Sequence, residues 1–209
     1  TMMMSIYGDM DTSRLMEKPI QRKRIVTLSK PENKINDLWP FINKKIKEKE
    51  QIFWVCPLID DSSKLDFSST TKLFDLLSKK FNKKVGVIHG ALDQDEKERV
   101  LKDFLNNKIS ILVSTTVIEV GIDFPNATAI IIENANKFGL AQLHQLRGRI
   151  GRGDKPGTCI LMFKNQLSVN ARKRIQILKS SDDGFYIAEE DMKLRGYGDI
   201  IGFKQSGIK

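Results

Sequence analysis

The sequence predicts an α/β fold built as a doubly wound parallel sheet, and three observations carry that expectation. Short runs rich in branched and aromatic residues recur along the chain, most of them are continuously apolar, and amphipathic helical stretches lie between them. Strands covered on both faces lose the apolar-in, polar-out alternation of a half-exposed sheet, as parallel strands between two helical layers do. In such a sheet the functional loops gather at the carboxyl ends of the strands.

Six runs read as strands: Arg24 to Ser29, Gln51 to Ile59, Val85 to His89, Ser110 to Thr115, Ala127 to Glu133 and Thr158 to Phe163. Ile52-Phe53-Trp54-Val55 and Ala129-Ile130-Ile131-Ile132 are the clearest cases of apolarity without alternation. Between the first two strands, Lys34 to Glu50 has helical character, and Pro40 inside it must either kink that helix or mark its true beginning. Thr70 to Phe81 and Leu140 to Leu146 are amphipathic. Asp93-Gln94-Asp95-Glu96 offers a capping-box start, after which Val100, Leu101, Phe104 and Leu105 form one apolar stripe at helical spacing. Beyond Phe163 the pattern changes to two helical runs, Ser168 to Lys179 and Tyr186 to Leu194, broken by Ser180-Ser181-Asp182-Asp183-Gly184. A helical hairpin followed by a glycine-punctuated loop is expected there.

The 209 residues are 40% hydrophobic and 29% charged, which suits a soluble globular protein, and no apolar run approaches the roughly 18 residues of a membrane span. The opening TMMMSIYGDMD has acids where a signal peptide carries its basic region, so it reads as a cut inside a longer cytoplasmic protein. Cys56 and Cys159 each sit in an apolar run, the usual place for an inert reduced thiol, and no metal site is implied. A net charge of +9 permits a polyanion partner, although lysines such as those between Asn43 and Lys49 also suit a solvated helix face.

The strongest chemical signal is Gln145-Leu146-Arg147-Gly148-Arg149-Ile150-Gly151-Arg152-Gly153, where arginines alternate with glycines at a helix end. Arginines packed this densely repel one another unless an anion lies between them, and the guanidinium fork fits phosphate oxygens. A basic solvated turn is the plainer reading, but the run follows a buried strand and an amphipathic helix instead of lying in a polar tail. A second block runs from Ile111 through Ser114-Thr115-Thr116 to Gly121-Ile122-Asp123. Hydroxyls at a strand end followed by glycine suit close approach of backbone amides to an oxyanion, though alone they also serve as a helix cap. His89-Gly90 closes another strand, where a satisfied histidine is equally natural. His144 reads as a packing or capping residue.

Together these blocks resemble the superfamily 2 helicases, whose sixth motif, Gln-x-x-Gly-Arg-x-x-Arg, matches Gln145, Gly148, Arg149 and Arg152. The resemblance implies a RecA-like second motor domain in which Arg152, with Arg149, neutralises charge developing on the γ-phosphate, while Gln145 senses the nucleotide. It further implies that Ser114 and Thr115, with His89 and Gly90, contact the nucleic-acid backbone, and that Gly121 and Asp123 face the nucleotide. Val55-Cys56-Pro57-Leu58 resembles the fourth motif. The sequence has no Gly-x-x-x-x-Gly-Lys-Ser/Thr loop and no Asp-Glu magnesium motif. ATP with magnesium is therefore expected to be held mainly by a preceding first motor domain of the same chain, with residues 1–21 as the connector from it, 22–165 as the second motor domain and 166–209 as the hairpin and loop. On this basis the 209 residues alone are expected to be inactive.

Within the superfamily the chain resembles the RecG-type helicases of bacteria over essentially its whole length. The likeness rests on Tyr7-Gly8-Asp9-Met10-Asp11, on Cys56-Pro57-Leu58-Ile59 and on the tail from Asp183 to Gly207. That tail is similar to the translocation motif shared with the transcription-repair coupling factor, which implies coupling roles for Arg174, Arg195 and Gln205 and branched double-stranded DNA as partner. Tyr197 departs from the proline or alanine common there. The coupling factor is the nearest alternative. A non-enzymatic nucleic-acid module and an RNA helicase domain are others, and a helix-ending role is the plainer reading of Arg195.

Overall fold

The computed structural model describes residues 25–57, 63–82, 84–115, 124–151, 153–164 and 166–206, the side chains of 63–69 and 197–206 excepted. The expected connector at 1–21 and the site residues Gly121, Asp123 and Arg152 lie outside the described residues, as does the side chain of Gln205.

One six-stranded sheet is built from β1 (Ile25–Pro31), β2 (Gln51–Val55), β3 (Val85–Ile88), β4 (Ile111–Ser114), β5 (Ala127–Ile132) and β6 (Gly157–Phe163). The strands lie in the order β1-β6-β5-β2-β4-β3, and every neighbouring pair is parallel. The expected doubly wound α/β architecture is therefore present. Around the sheet run α1 (Trp39–Lys47), α2 (Ser63–Lys80), α3 (Gln94–Leu105), α4 (Leu140–Arg147), α5 (Val169–Ser180) and α6 (Gly184–Ser206). From β2 the chain moves out to edge strand β3, returns to β4, then crosses β2 to β5 and continues outward to β6. Such a reversal opens a crevice at the carboxyl ends of the strands around it.

Alternate side chains of the buried strands feed two cores. On one face Phe53, Val55, Leu112, Ile130, Ile132 and Leu161 pack with Phe104 of α3, Leu143 and Leu146 of α4, Leu178 of α5 and Ile187 of α6. On the other, Ile52, Trp54, Val113, Ile131 and Met162 pack with Leu38, with Ile42 of α1 and with Leu77 of α2. Helices on both faces explain why the strands read as unbroken apolar runs. The hairpin formed by α5 and α6 shares the first of these cores, so its helices pack as a continuation of the sheet's own helical layer.

Local signals in the sequence are realised in detail. Asp93 Oδ1 accepts from Glu96 N at 2.8 Å and Glu96 Oε2 accepts from Asp93 N at 3.3 Å, so the capping box that opens α3 is formed in both directions. Pro40 marks a beginning and not a kink: a 3-10 turn over Glu32–Leu38 precedes α1, and the proline stands in the first turn of the helix, where its missing N–H costs nothing. Cys56 and Cys159 are buried thiols with no disulfide between them, and burial pushes Cys159 up to about 12, which makes it inert.

One expectation is corrected. Beyond Leu194, where glycines suggest a loop, α6 continues as helix to Ser206 and takes in Arg195, Gly196, Gly198, Gly202 and Gln205. Glycine in a helix costs only about 1 kcal/mol relative to alanine, a propensity that wider context can override.

Candidate functional site

β3 ends in the corner His89-Gly90 and β4 in Ser114-Thr115, and the two are joined by a hydrogen bond from Thr115 N to Ile88 O of 3.2 Å. His89 Nδ1 accepts from Ala91 N at 3.1 Å. Ser114 and Thr115 are buried, His89 is half-buried and Gly90 is exposed. A Cβ on Gly90 would meet nothing within 4 Å, so no packing within the chain calls for glycine there. All four residues expected to touch nucleic acid thus occupy one corner of the sheet.

The run of arginines and glycines begins on α4. Leu140, Leu143 and Leu146 turn into the core while Gln145 and Gly148 face outward, and Arg149 is half-buried beside them. Among the described residues the Arg149 guanidinium has no hydrogen-bond or ion-pair partner, so it is available to an anion. Gly151 then adopts φ +72, and a Cβ there would come within 3.1 Å of Ile25, so both conformation and space call for glycine. Gly153 passes equally close to Pro125, since its Cβ would lie 3.1 Å from Pro125 O.

Arg147 behaves quite differently from Arg149. It is only 2% exposed and points inward, donating to Thr27 Oγ1 of β1 at 3.2 Å, to Leu178 O, and to Ser181 O at 2.8 Å. Its Nη1 lies 3.5 Å from Asp182 Oδ1, and its Nη2 is 3.2 Å from His144 Nδ1. An arginine can only donate, so His144 accepts at Nδ1. Burial, with the charge of Arg147, holds the His144 ring below the usual histidine range. Burial likewise pulls Arg147 down from its ordinary value, with Asp182 opposing. The anion-facing reading of the run thus does not extend to Arg147. Helical spacing held the signal: 147 falls four residues after Leu143 and seven after Leu140, on the buried stripe.

The hairpin arginines meet the start of the same helix. Arg174 on α5 donates to Phe138 O at 3.4 Å and Asn136 O at 3.5 Å. Arg195 on α6 pairs with Asp191 at 3.4 Å and lies so near that a Cβ on Gly139, the cap residue of α4, would sit 2.6 Å from Arg195 Nη2. The helix-ending reading of Arg195 is overturned, because α6 continues beyond it to Ser206. A cation beside the amino end of α4 opposes that helix's dipole, and the partly buried Asp191 carboxylate offsets it.

At the end of β5, Glu133 was not anticipated as anything but a strand terminus. Its carboxylate accepts from Trp54 Nε1 at 3.1 Å and lies 3.8 Å from Cys56 Sγ, which ties the carboxyl ends of β5 and β2 together. Burial raises its pKa above the ordinary carboxylate value, the Trp54 hydrogen bond opposing. A group whose folded pKa is raised contributes stability fully present below the unfolded-state pKa and lost as pH rises through the folded one. Glu133→Gln, which keeps an acceptor for Trp54, is therefore expected to melt above the wild type at pH 8, with the gap closing toward acid pH. Equal melting temperatures from acid to alkaline pH would remove Glu133 from this account.

Among the described residues no cluster of three or more His, Cys, Asp or Glu side chains is placed to hold a metal ion, and no helix is long and apolar enough to cross a membrane. Residues 33–154 match the helicase conserved C-terminal domain. Over 210 aligned residues, all of this chain, the sequence is 43% identical to the ATP-dependent DNA helicase RecG of Bacillus subtilis, covering 31% of that protein. It is 41% identical to RecG of Escherichia coli over 99% of the chain and 30% of the relative. The chain thus spans about three-tenths of the length of these relatives. A structure of RecG bound to a three-way DNA junction superposes with a TM-score of 0.74 at 42% identity, covering 87% of this chain and 24% of that one. Domain 2 of the DEAD-box helicase Mss116p, bound to an RNA duplex, superposes with a TM-score of 0.52 at 19% identity over 83% of this chain and 77% of the other, a likeness of fold.

Proposed function

Because the chain belongs to the helicase conserved C-terminal domain family and matches RecG along its whole length, we propose that it is the second motor half of an ATP-dependent helicase that remodels branched DNA. Replication forks and Holliday junctions, in recombination and repair, are the substrates this reading implies, and the bacterial cytoplasm is its setting. The RecG structure on a three-way junction supports branched DNA as the partner.

In this reading a first motor domain of the same chain grips ATP and magnesium, and the present domain supplies the opposite wall. Arg149, free of partners among the described residues, and Arg152 serve the γ-phosphate; Gln145 on the exposed face of α4 senses the nucleotide, and Gly121 and Asp123 take part in the same role. The DNA backbone runs over the His89-Gly90 corner, where the bare glycine admits close approach and Ser114 and Thr115 lie beneath.

The observation that carries the proposal is the placement of α4. One end of this eight-residue helix, about 12 Å long, meets Arg174 and Arg195 of the hairpin, and the other end leads to Arg149. An ATP-facing group and a translocation element thus share one rigid support.

Phosphoryl transfer needs a lysine and magnesium cradle that this sequence lacks, so the 209 residues alone should show no DNA-stimulated ATP turnover above buffer. Joined to a first motor domain of RecG, they should gain it. Turnover by the chain alone overturns the division of labour, and a non-enzymatic nucleic-acid module would gain nothing from the joining.

A further inference from the structure

Burying a guanidinium costs several kcal/mol, and an apolar side chain of similar volume often serves stability as well or better. Arg147 is the one arginine buried among the described residues, so its retention there calls for a reason. Its planar fork spreads five N–H donors over acceptors on different elements, whereas a lysine offers three from a single point and an apolar residue none. Those acceptors belong to separate elements: Thr27 on β1, Leu178 O in the last turn of α5, and Ser181 O with Asp182 at the hairpin bend. Leu178 O, in the last turn of α5, has no amide four residues on within that helix, so Arg147 acts as a cap supplied from α4.

Two residues beyond Arg147 stands Arg149. The hairpin is thus held beside both ends of α4: Arg174 donates to the carbonyls of Asn136 and Phe138 just before the helix, with the Arg195 guanidinium lying beside Gly139, and Arg147 bonds the hairpin bend from the other end. A lever held at one end would pivot; held at both it moves with its support. We propose that Arg147 is a positioning residue that locks the hairpin to α4, from whose end the chain turns into Arg149, so that displacement of that helix end at the nucleotide reaches the hairpin undiminished. This rests on the helicase reading above.

The test uses the full-length protein with Arg147→Lys, which keeps the charge but loses the fork, and Arg147→Met, an apolar replacement of the kind buried positions tolerate. Melting temperature, kcat and KM for ATP with saturating DNA, and base pairs unwound per ATP are measured on a forked duplex. Both variants should keep KM and most of kcat, while unwinding per ATP falls about tenfold, within the range of ordinary coupling free energies. Thr27→Val, which removes only the sheet-side partner, should lower melting temperature and leave unwinding per ATP normal. A large rise in KM would make Arg147 a nucleotide ligand, and parallel loss of turnover and unwinding that cooling restores would make it structural; either overturns the proposal. Wild-type unwinding with normal coupling in both variants overturns this inference alone. A wild type that neither hydrolyses ATP nor unwinds overturns the helicase reading, and this inference with it.

Discussion

Arg152→Ala in the full-length protein is expected to slow ATP turnover by about 10³–10⁵-fold, the worth of an arginine finger in phosphoryl transfer, with DNA affinity nearly intact. Charge spreads onto the γ-phosphoryl oxygens as the bond to the leaving group lengthens, and a guanidinium fixed beforehand stabilises it without reorganising. The described residues on either side of position 152 lie close to their neighbours. Gly151 is held in a left-handed conformation against Ile25, and Gly153 is pressed against Pro125 O. Arg149→Ala should slow turnover in the same sense but more mildly. Lost DNA binding with normal turnover would move these arginines into the nucleic-acid groove.

The second large effect is expected at the hairpin. Arg195→Ala or Gln205→Ala should abolish fork unwinding while ATP hydrolysis and DNA binding remain substantially present, because a relay residue touches neither the nucleotide nor the groove. For Arg195 the geometry gives the expectation a concrete form: its guanidinium is lodged against Gly139 and paired with Asp191, where the start of α4 meets the hairpin. A residue that merely favoured its helix end would be worth at most about 1 kcal/mol of stability and leave unwinding normal. That account has lost its premise, since the helix continues past Arg195. Parallel loss of ATPase and unwinding in the variant would refute the relay.

How much of this was legible in the sequence depends on the range of the interaction. The parallel sheet was readable because burial on both faces removes polar residues from each strand, a property that Ile52–Val55 and Ala129–Ile132 display by themselves. The capping box at Asp93 and Glu96 and the helix start at Pro40 are likewise local. The inward turn of Arg147 was half legible, since spacing from Leu140 and Leu143 places it on the buried stripe, but its partners come from β1 and the hairpin bend. Nothing near Arg174 in sequence indicates that it reaches the carbonyls of Asn136 and Phe138. The length of α6 was misjudged because glycine reads as a breaker when propensity is the only information. Glu133 escaped notice for a related reason, as its significance lies in Trp54 on the neighbouring strand.

The arginines past the end of α4 are expected to serve ATP chemistry while those packed at its start convert that chemistry into movement. The most direct test measures base pairs unwound per ATP hydrolysed, on one forked substrate, for the full-length wild type, Arg149→Ala and Arg195→Ala. The account predicts that Arg149→Ala slows hydrolysis and unwinding together, so that their ratio is kept, whereas Arg195→Ala preserves hydrolysis and collapses the ratio. A ratio that collapses for Arg149→Ala, or one that stays at the wild-type value for Arg195→Ala, would contradict it.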